Sequence, residues 1–409
     1  MVANSVVCRL VLLILLGAVS LGCALSHNSS SERSGNGGGG SAGVLSSWAA
    51  GDTSPVPDAG AAGTAGSYTR SVSSWAPPFP LAPDPGWMMS EGVLCAGRAR
   101  TLEYVALWAD ARGVFVARSQ QWDSGVGPDK RVATRFLFND GQQWRLWHEE
   151  LTPVSPDRPQ IRPRVRLTGF EGGPLILYGD LTCGLLTVQA AGSDCGIKER
   201  VSDVAVVGPK EAYAVTDNTV YRFDGVAWQK LDVLDKPGRV QARAIWANSE
   251  LIAVAANDQQ IYFKPAAASR FELQPGVPAG DYLALWGRNA SDIWAGTSGG
   301  QIAHYSQGKW KTEGWIDPPL TDCQMEYKRD VLGMWGTRDV VYAYSERRVL
   351  RLSGGEQEVA SFCRRGTRIA DVKGRGSEEV FIAIVDNAKE TACGNFFIVW
   401  YDGMTLRQF

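Results

Sequence analysis

From about residue 103 to the C-terminus, short apolar runs alternate with polar punctuation, and the runs recur in a fixed order. The clearest copy reads Leu283-Ala284-Leu285-Trp286-Gly287, a polar break, then Asp292-Ile293-Trp294-Ala295-Gly296, and continues Gln301-Ile302-Ala303-His304-Tyr305 to Trp310. Other copies align with it at 104–117 with 136–141, 204–228, 244–263, 332–352 and 369–403, with a degenerate one between 165 and 196. Self-similarity at a period of roughly 40 residues marks a repeat architecture. Each unit holds about four runs rich in Val, Ile, Tyr, Phe and Trp, split by Gly, Asn, Asp and Ser, the pattern of strands bounded by turns. Asp224-Gly225 and Asp402-Gly403 are hairpin signals, because tight turns need positive φ. No segment sustains a helical period. The pattern predicts an all-β fold, a β-propeller of seven four-stranded blades, since radial repetition protects sheet edges. A solenoid of stacked strands is the alternative, but its coils run shorter than this unit. Trp108, Trp246, Trp286 and Trp335 share one repeat position and are expected in the core between blades.

The first 85 residues have a different character. Residues 1–23 carry one charge, Arg9, then an apolar run from Leu10 to Leu16 and small residues, the pattern of an export signal. The run is too short to span a bilayer, which needs about 20 apolar residues. It ends Ser20-Leu21-Gly22-Cys23, similar to a lipobox whose Cys becomes the lipidated first residue; Ser20 stands where that pattern prefers Leu. The alternative is an ordinary signal cut near Ala24. Residues 24–85 are Ser, Gly, Ala and Pro, a composition that predicts a flexible tether. Within it Ser46-Ser47-Trp48 and Ser73-Ser74-Trp75 repeat, and both read as incidental to a disordered arm. The propeller domain is expected over 86–409.

The formal net charge is −2, and no basic stripe accompanies the aromatics, which argues against nucleic acid as a partner. Of eight cysteines, Cys8 lies in the signal and Cys23 is the lipidation candidate. The other six, Cys95, Cys183, Cys195, Cys323, Cys363 and Cys393, are disulfide candidates in an exported chain. No Cys/His spacing suits zinc, and no metal or cofactor is expected. In a four-stranded blade, the loop entering the blade and the loop between its second and third strands share one face. All of these cysteines except Cys195 are expected on that face, with the insertions 314–330 and 385–395; a third insertion is expected at 120–132.

Candidate chemistry is sparse. His27 falls in the tether, His148-Glu149-Glu150 reads as a solvated strand end, and His304 as a structural repeat residue. No nucleophile elbow, phosphate loop or His-Glu-x-x-His is present, and Ser291-Asp292-Ile293-Trp294 differs from a sialidase Asp-box in spacing and glycine. No catalytic residue is assigned. Asp224 and Asp402 are expected to make Asx turns rather than bind calcium. Trp87, Trp122, Trp147 and Trp315 stand off the repeat register. Trp315, Tyr327, Lys328, Arg329, Arg364 and Arg365 are the candidate partner-binding residues, aromatics and Arg being enriched at interfaces.

The repeat resembles the propeller-type repeat of secreted lipoproteins of myxobacteria and related delta-proteobacteria. Residues 283–296 and 301–310 match that unit closely, including Ser291-Asp292, Trp294 and His304-Tyr305; Phe223-Asp224-Gly225 and Tyr401-Asp402-Gly403 match its third strand and turn. The resemblance implies fold and location more than function. It favours a monomeric, lipid-anchored outer-membrane protein facing periplasm or cell surface, held to the membrane by the lipid alone; secretion is the alternative. Some propeller lipoproteins act in envelope assembly, which favours a non-catalytic module binding an envelope protein or glycan. The other reading is an extracellular polysaccharide-acting hydrolase or lyase. Its mark would be Asp, Glu, Arg or Tyr converging at the channel mouth.

Overall fold

The computed structural model describes residues 103–122, 131–153, 165–179, 183–187, 190–234, 240–316, 329–353, 355–362, 366–386 and 395–409. They form seven antiparallel sheets, each of four strands consecutive in the chain. Blade 1 holds β1 (Glu103–Asp110), β2 (Gly113–Trp122), β3 (Arg131–Asn139) and β4 (Trp144–Pro153). Blade 2 holds β5 (Val165–Gly169), β6 (Leu175–Gly179), β7 (Cys183–Thr187) and β8 (Ala190–Asp194). Blade 3 holds β9 (Asp203–Gly208), β10 (Glu211–Val215), β11 (Thr219–Phe223) and β12 (Trp228–Val233). Blade 4 holds β13 (Ala242–Ala247), β14 (Leu251–Ala256), β15 (Ile261–Pro265) and β16 (Glu272–Leu273). Blade 5 holds β17 (Tyr282–Asn289), β18 (Asp292–Thr297), β19 (Gln301–Ser306) and β20 (Lys309–Trp315). Blade 6 holds β21 (Gly333–Gly336), β22 (Val341–Tyr344), β23 (Arg348–Arg351) and β24 (Gln357–Ser361). Blade 7 holds β25 (Thr367–Gly376), β26 (Glu379–Asp386), β27 (Asn395–Tyr401) and β28 (Leu406–Gln408).

The first strands pack in a closed series: β1 on β5, then β9, β13, β17, β21 and β25, with β25 back on β1. This is the predicted seven-bladed propeller, not a solenoid. Among the described residues no sheet mixes the two ends of the chain, so the ring closes without a shared strand.

The core is divided among seven seams, one apolar cluster between each pair of neighbours. Strand β14 shows why the second strands are apolar throughout. Its alternate residues Ile252, Val254 and Ala256 pack toward blade 3, and Leu251, Ala253 and Ala255 toward blade 5. Side chains alternate faces along a strand, and both faces here are interior. The closing seam joins Leu107, Val114, Val116 and Leu137 to Phe381, Ala383, Val385 and Ile398.

The four repeat tryptophans lie at seams as expected, but they are half-buried, not enclosed. Each covers a glycine of the next blade: Trp108 faces Gly169, Trp246 Gly287, Trp286 Gly336 and Trp335 Gly374. A Cβ at Gly287 would lie 2.8 Å from the Trp246 ring, and one at Gly374 2.5 Å from Trp335. The pairing has a complement. Where the glycine position is alanine, Ala109 or Ala247, the preceding blade offers Lys373 or Val207 instead of Trp. The hairpin readings also hold. Gly225 and Gly403 have φ of 94° and 89°, and the Asp224 and Asp402 carboxylates accept the amides of Val226 and Ala227, and of Met404 and Thr405. All three insertions are shorter than expected, and Gly314 and Trp315 are paired strand of β20. Residues 120–122 and 131–132 are paired strand, extending blade 1, and 385–386 and 395 belong to β26 and β27.

Trp286→Ala is expected to lower stability by about 2–4 kcal/mol, below the full cost of emptying an enclosed aromatic site because the ring is only partly buried. Gly287→Ala is expected to cost about 1–3 kcal/mol by overpacking, and much less when Trp246→Ala is already present. A double-mutant cycle of urea midpoints checks this, and additive costs would refute the pairing.

Candidate functional site

Two carboxylates on inner strands each tie three blades together. Asp203 of β9 accepts the Tyr178 hydroxyl of blade 2 at 2.8 Å on one oxygen and the Ile245 amide of blade 4 at 3.0 Å on the other. Asp371 of β25 accepts the Tyr344 hydroxyl of blade 6 at 2.8 Å and the Leu107 amide of blade 1 at 2.8 Å. Its own neighbour Val372 adds a second amide at 2.9 Å. Tyr344 ends β22, and Tyr178 is the last residue but one of β6. The Tyr344 phenol lies over Gly333, where any Cβ would collide with it, so that glycine opens the route to Asp371.

Arg166 of β5 stands between the two arrangements. Its guanidinium is 3.9 Å from Asp203. Burial lowers its pKa, but the fields of Asp203, Tyr178, Tyr344 and Asp371 outweigh burial and raise it. These partners belong to blades 2, 3, 6 and 7, which come together only at the ring axis. The Arg166 side chain is 39 % exposed. Sequence reasoning singled out none of these five residues. Tyr178 and Tyr344 share one repeat position, and so do Arg166 and Asp371, but no single unit holds the set, and only ring closure brings them together.

The residue types that a polysaccharide-acting enzyme calls for therefore do converge at the channel, yet each has a structural commitment. The carboxylates hold amides and hydroxyls of three blades. Burial, then the adjacent carboxylate, pushes the Tyr178 and Tyr344 hydroxyls well above the ordinary value, which makes them poor bases near neutral pH.

His304 has the structural place its repeat position implied. Its ring stacks on Trp294 with centroids 3.9 Å apart. One ring nitrogen lies 3.0 Å from Asp292 and the other 3.0 Å from Glu313, while Arg288 and Trp294 also hold Asp292. Burial tends to raise the Glu313 pKa, but Lys311 and His304 lower it on balance. Among the described residues no group of His, Cys, Asp or Glu is arranged to hold a metal ion.

The face bearing the blade-to-blade connections and the loops between second and third strands is termed the connection face; the other is the turn face. Trp315, at the connection-face end of β20, is 51 % exposed. Arg329 is exposed on the connection leading to β21. The other four partner-binding candidates, Tyr327, Lys328, Arg364 and Arg365, lie outside the described residues, as do Cys23, Cys95, Cys323, Cys363 and Cys393. Cys183 begins β7. Cys195 follows β8 directly and so stands at the connection face, contrary to the sequence reading, which set it apart; it is buried and disulfide-bonded.

No family model matches the chain, and no curated protein matches it in sequence. Solved structures do resemble it. A structure described as YCF48 bound to D1 peptide is 12 % identical, covers 76 % of this chain and 95 % of its own, and gives a TM-score of 0.47. YCF48 from Cyanidioschyzon merolae is 11 % identical over 76 % of this chain and 96 % of its own, with a TM-score of 0.46. The RRP9 WD40 repeats are 13 % identical over 69 % and 89 %, with a TM-score of 0.49. The likeness is one of fold, the seven-bladed propeller; it identifies no family or lineage.

Tyr213 and Tyr342 are pushed up to about 12, chiefly by burial. Tyrosines raised in the folded state hold their protons where the unfolded chain, near pH 10, begins to lose them. Their contribution is thus fully present below about pH 10 and lost as pH rises through the folded values. Phenolate absorbance near 295 nm is expected to appear for these residues only together with unfolding. Tyr344→Phe, which leaves Asp371 short of a donor, is expected to cost about 1–2 kcal/mol in a urea titration at neutral pH.

Proposed function

We propose that this chain is a non-catalytic, cell-envelope-anchored propeller that binds an envelope protein or glycan through its connection face. The observation that carries the reading is Trp315, a large aromatic 51 % exposed on that face, with the exposed Arg329 at the far foot of the same connection. The feet are rigid. The Ile316 amide donates to Gly300 and the Val331 amide to Thr297, so strands hold the connection without being altered by it. The commitment of the channel carboxylates to three blades each supports a scaffold over a hydrolase or lyase. The remaining parts of the reading come from the sequence: a signal at 1–23, lipidation at Cys23, a tether at 24–85, a ring stapled by disulfides, and an outer-membrane address, with secretion as the alternative.

Two experiments test this. Radiolabelled palmitate is expected in the wild-type protein and absent from Cys23→Ser, which should also leave the membrane fraction; label in both or in neither defeats the anchor. Wild type and Trp315→Ala/Arg329→Glu are compared in pull-downs from envelope extract beside a glycan-degradation screen. The variant is expected to keep its melting temperature and lose the captured partner at least tenfold, as for a hot-spot aromatic with its charged neighbour. Undiminished capture, or glycan turnover by the wild type, rejects the reading.

A further inference from the structure

Arg166 has charged neighbours but, among the described residues, no hydrogen-bond acceptor. The Asp203 oxygen nearest to it is 3.9 Å away, beyond bonding distance. The carboxylates around it already serve other donors: Tyr178 and Ile245 on Asp203, and Tyr344, Leu107 and Val372 on Asp371. A planar fork of five N–H donors is thus held by charge and left to offer those donors elsewhere. A second set of donors faces the same space. The Leu107 and Ile245 amides that the two carboxylates hold occupy one register position, opposite Val116 and Val254. Leu285 opposite Ala295, and Met334 opposite Ala343, occupy that position in blades 5 and 6. Their N–H groups therefore also point away from the second strand and toward the axis. Neither meets an acceptor among the described residues, although both residues are buried, and a buried amide left without a partner is costly.

We propose that the channel binds a small monocarboxylate anion, held by the Arg166 fork on one side and by the Leu285 and Met334 amides on the other. Ring order puts the two sets of donors across from each other, because blades 5 and 6 each lie three steps from blade 2, in opposite directions around the ring. The walls are also close. The Tyr344 phenol lies over Gly333, the residue before Met334, and its charge is felt at Arg166. At the repeat position of Arg166, blades 5 and 6 carry Ala284 and Gly333, so that wall has no long side chain of its own there. Charge and shape then select the ligand. A guanidinium fork matches the two oxygens of a carboxylate, and the oxygens' remaining lone pairs suit amide donors. Asp203 and Asp371 together already outweigh Arg166 by one charge, which disfavours a phosphate dianion. This site is separate from Trp315 and Arg329 and does not depend on what binds there.

The test is a titration of the isotope-labelled, full-length chain with sodium formate at constant ionic strength, followed by amide NMR. The Leu285 and Met334 amide protons and the Arg166 Nε proton are expected to shift downfield together and to saturate. A dissociation constant of about 1–10 mM is expected, the range open to so small a ligand. The Leu107 and Ile245 amides, already held by Asp371 and Asp203, should stay in place. Arg166→Lys, which keeps the charge and loses the fork, is expected to weaken binding about tenfold or more. Unmoved Leu107 and Ile245 resonances will show that its ring is intact; if they move, the Arg166 Nε shift in the wild type decides instead. Chloride and phosphate should not reproduce the shifts. The inference is overturned by the absence of a saturable shift, by equal affinity in an intact Arg166→Lys, by an Arg166 Nε proton that stays in place, or by the same shifts with chloride or phosphate.

Discussion

A four-stranded sheet with two apolar faces has no stable solitary state in water, and the rest of this structure depends on that constraint. Each blade must be covered on both sides, and a ring is the arrangement in which every sheet finds two neighbours and none is left terminal. The cost falls on the last joint. Blade 1 and blade 7 meet with no shared strand, so apolar contact and the Asp371 carboxylate on the Leu107 amide do the work that chain connection does elsewhere.

Two devices regulate how neighbours meet. The tryptophan of one blade lies on the bare backbone of the next, which fixes spacing sterically because a glycine admits a ring where a Cβ would not. The inner carboxylates fix joints by directed bonds, each reaching backward to a tyrosine and forward to an amide. Apolar area alone is tolerant of sliding; a buried carboxylate with its acceptors filled is not, since any slip leaves charge unpaired. Around the ring the two devices meet only at the seam between blades 6 and 7, where Trp335 covers Gly374 and Tyr344 reaches Asp371. Asp203 serves the stretch around blade 3, where the Trp-on-Gly pair is missing on both sides, and Asp371 serves the closure.

Fold and blade count were legible because they are written locally. The strand runs, the repeated Trp and the Asp-Gly turns can each be read within one unit, and Asp224 and Asp402 do what their turn chemistry implies. Even the reading of His304 as structural needed only its repeat position. The channel cluster was not legible for the opposite reason. Arg166, Tyr178, Asp203, Tyr344 and Asp371 come from four blades, and each looks like ordinary strand residue variation until the ring is closed. The half-exposure of the seam tryptophans was missed for a related reason, since a shared repeat position reports which neighbour a side chain faces but not how far its rim extends from the seam.

Because every blade is one uninterrupted stretch of chain, the position of the chain ends in this ring is arbitrary. The seam between blades 7 and 1 is built from the same materials as the other six, so new ends could open at any blade-to-blade connection, with the old ones joined, without unpicking a sheet. Most of the pairing within each sheet is between chain neighbours, so a blade's hydrogen bonds can form as its residues are made, and only the final docking is long-range. The protein is in this sense a linear sentence that becomes circular at its last word, and a gene encoding it can gain, lose or reorder blades in whole units.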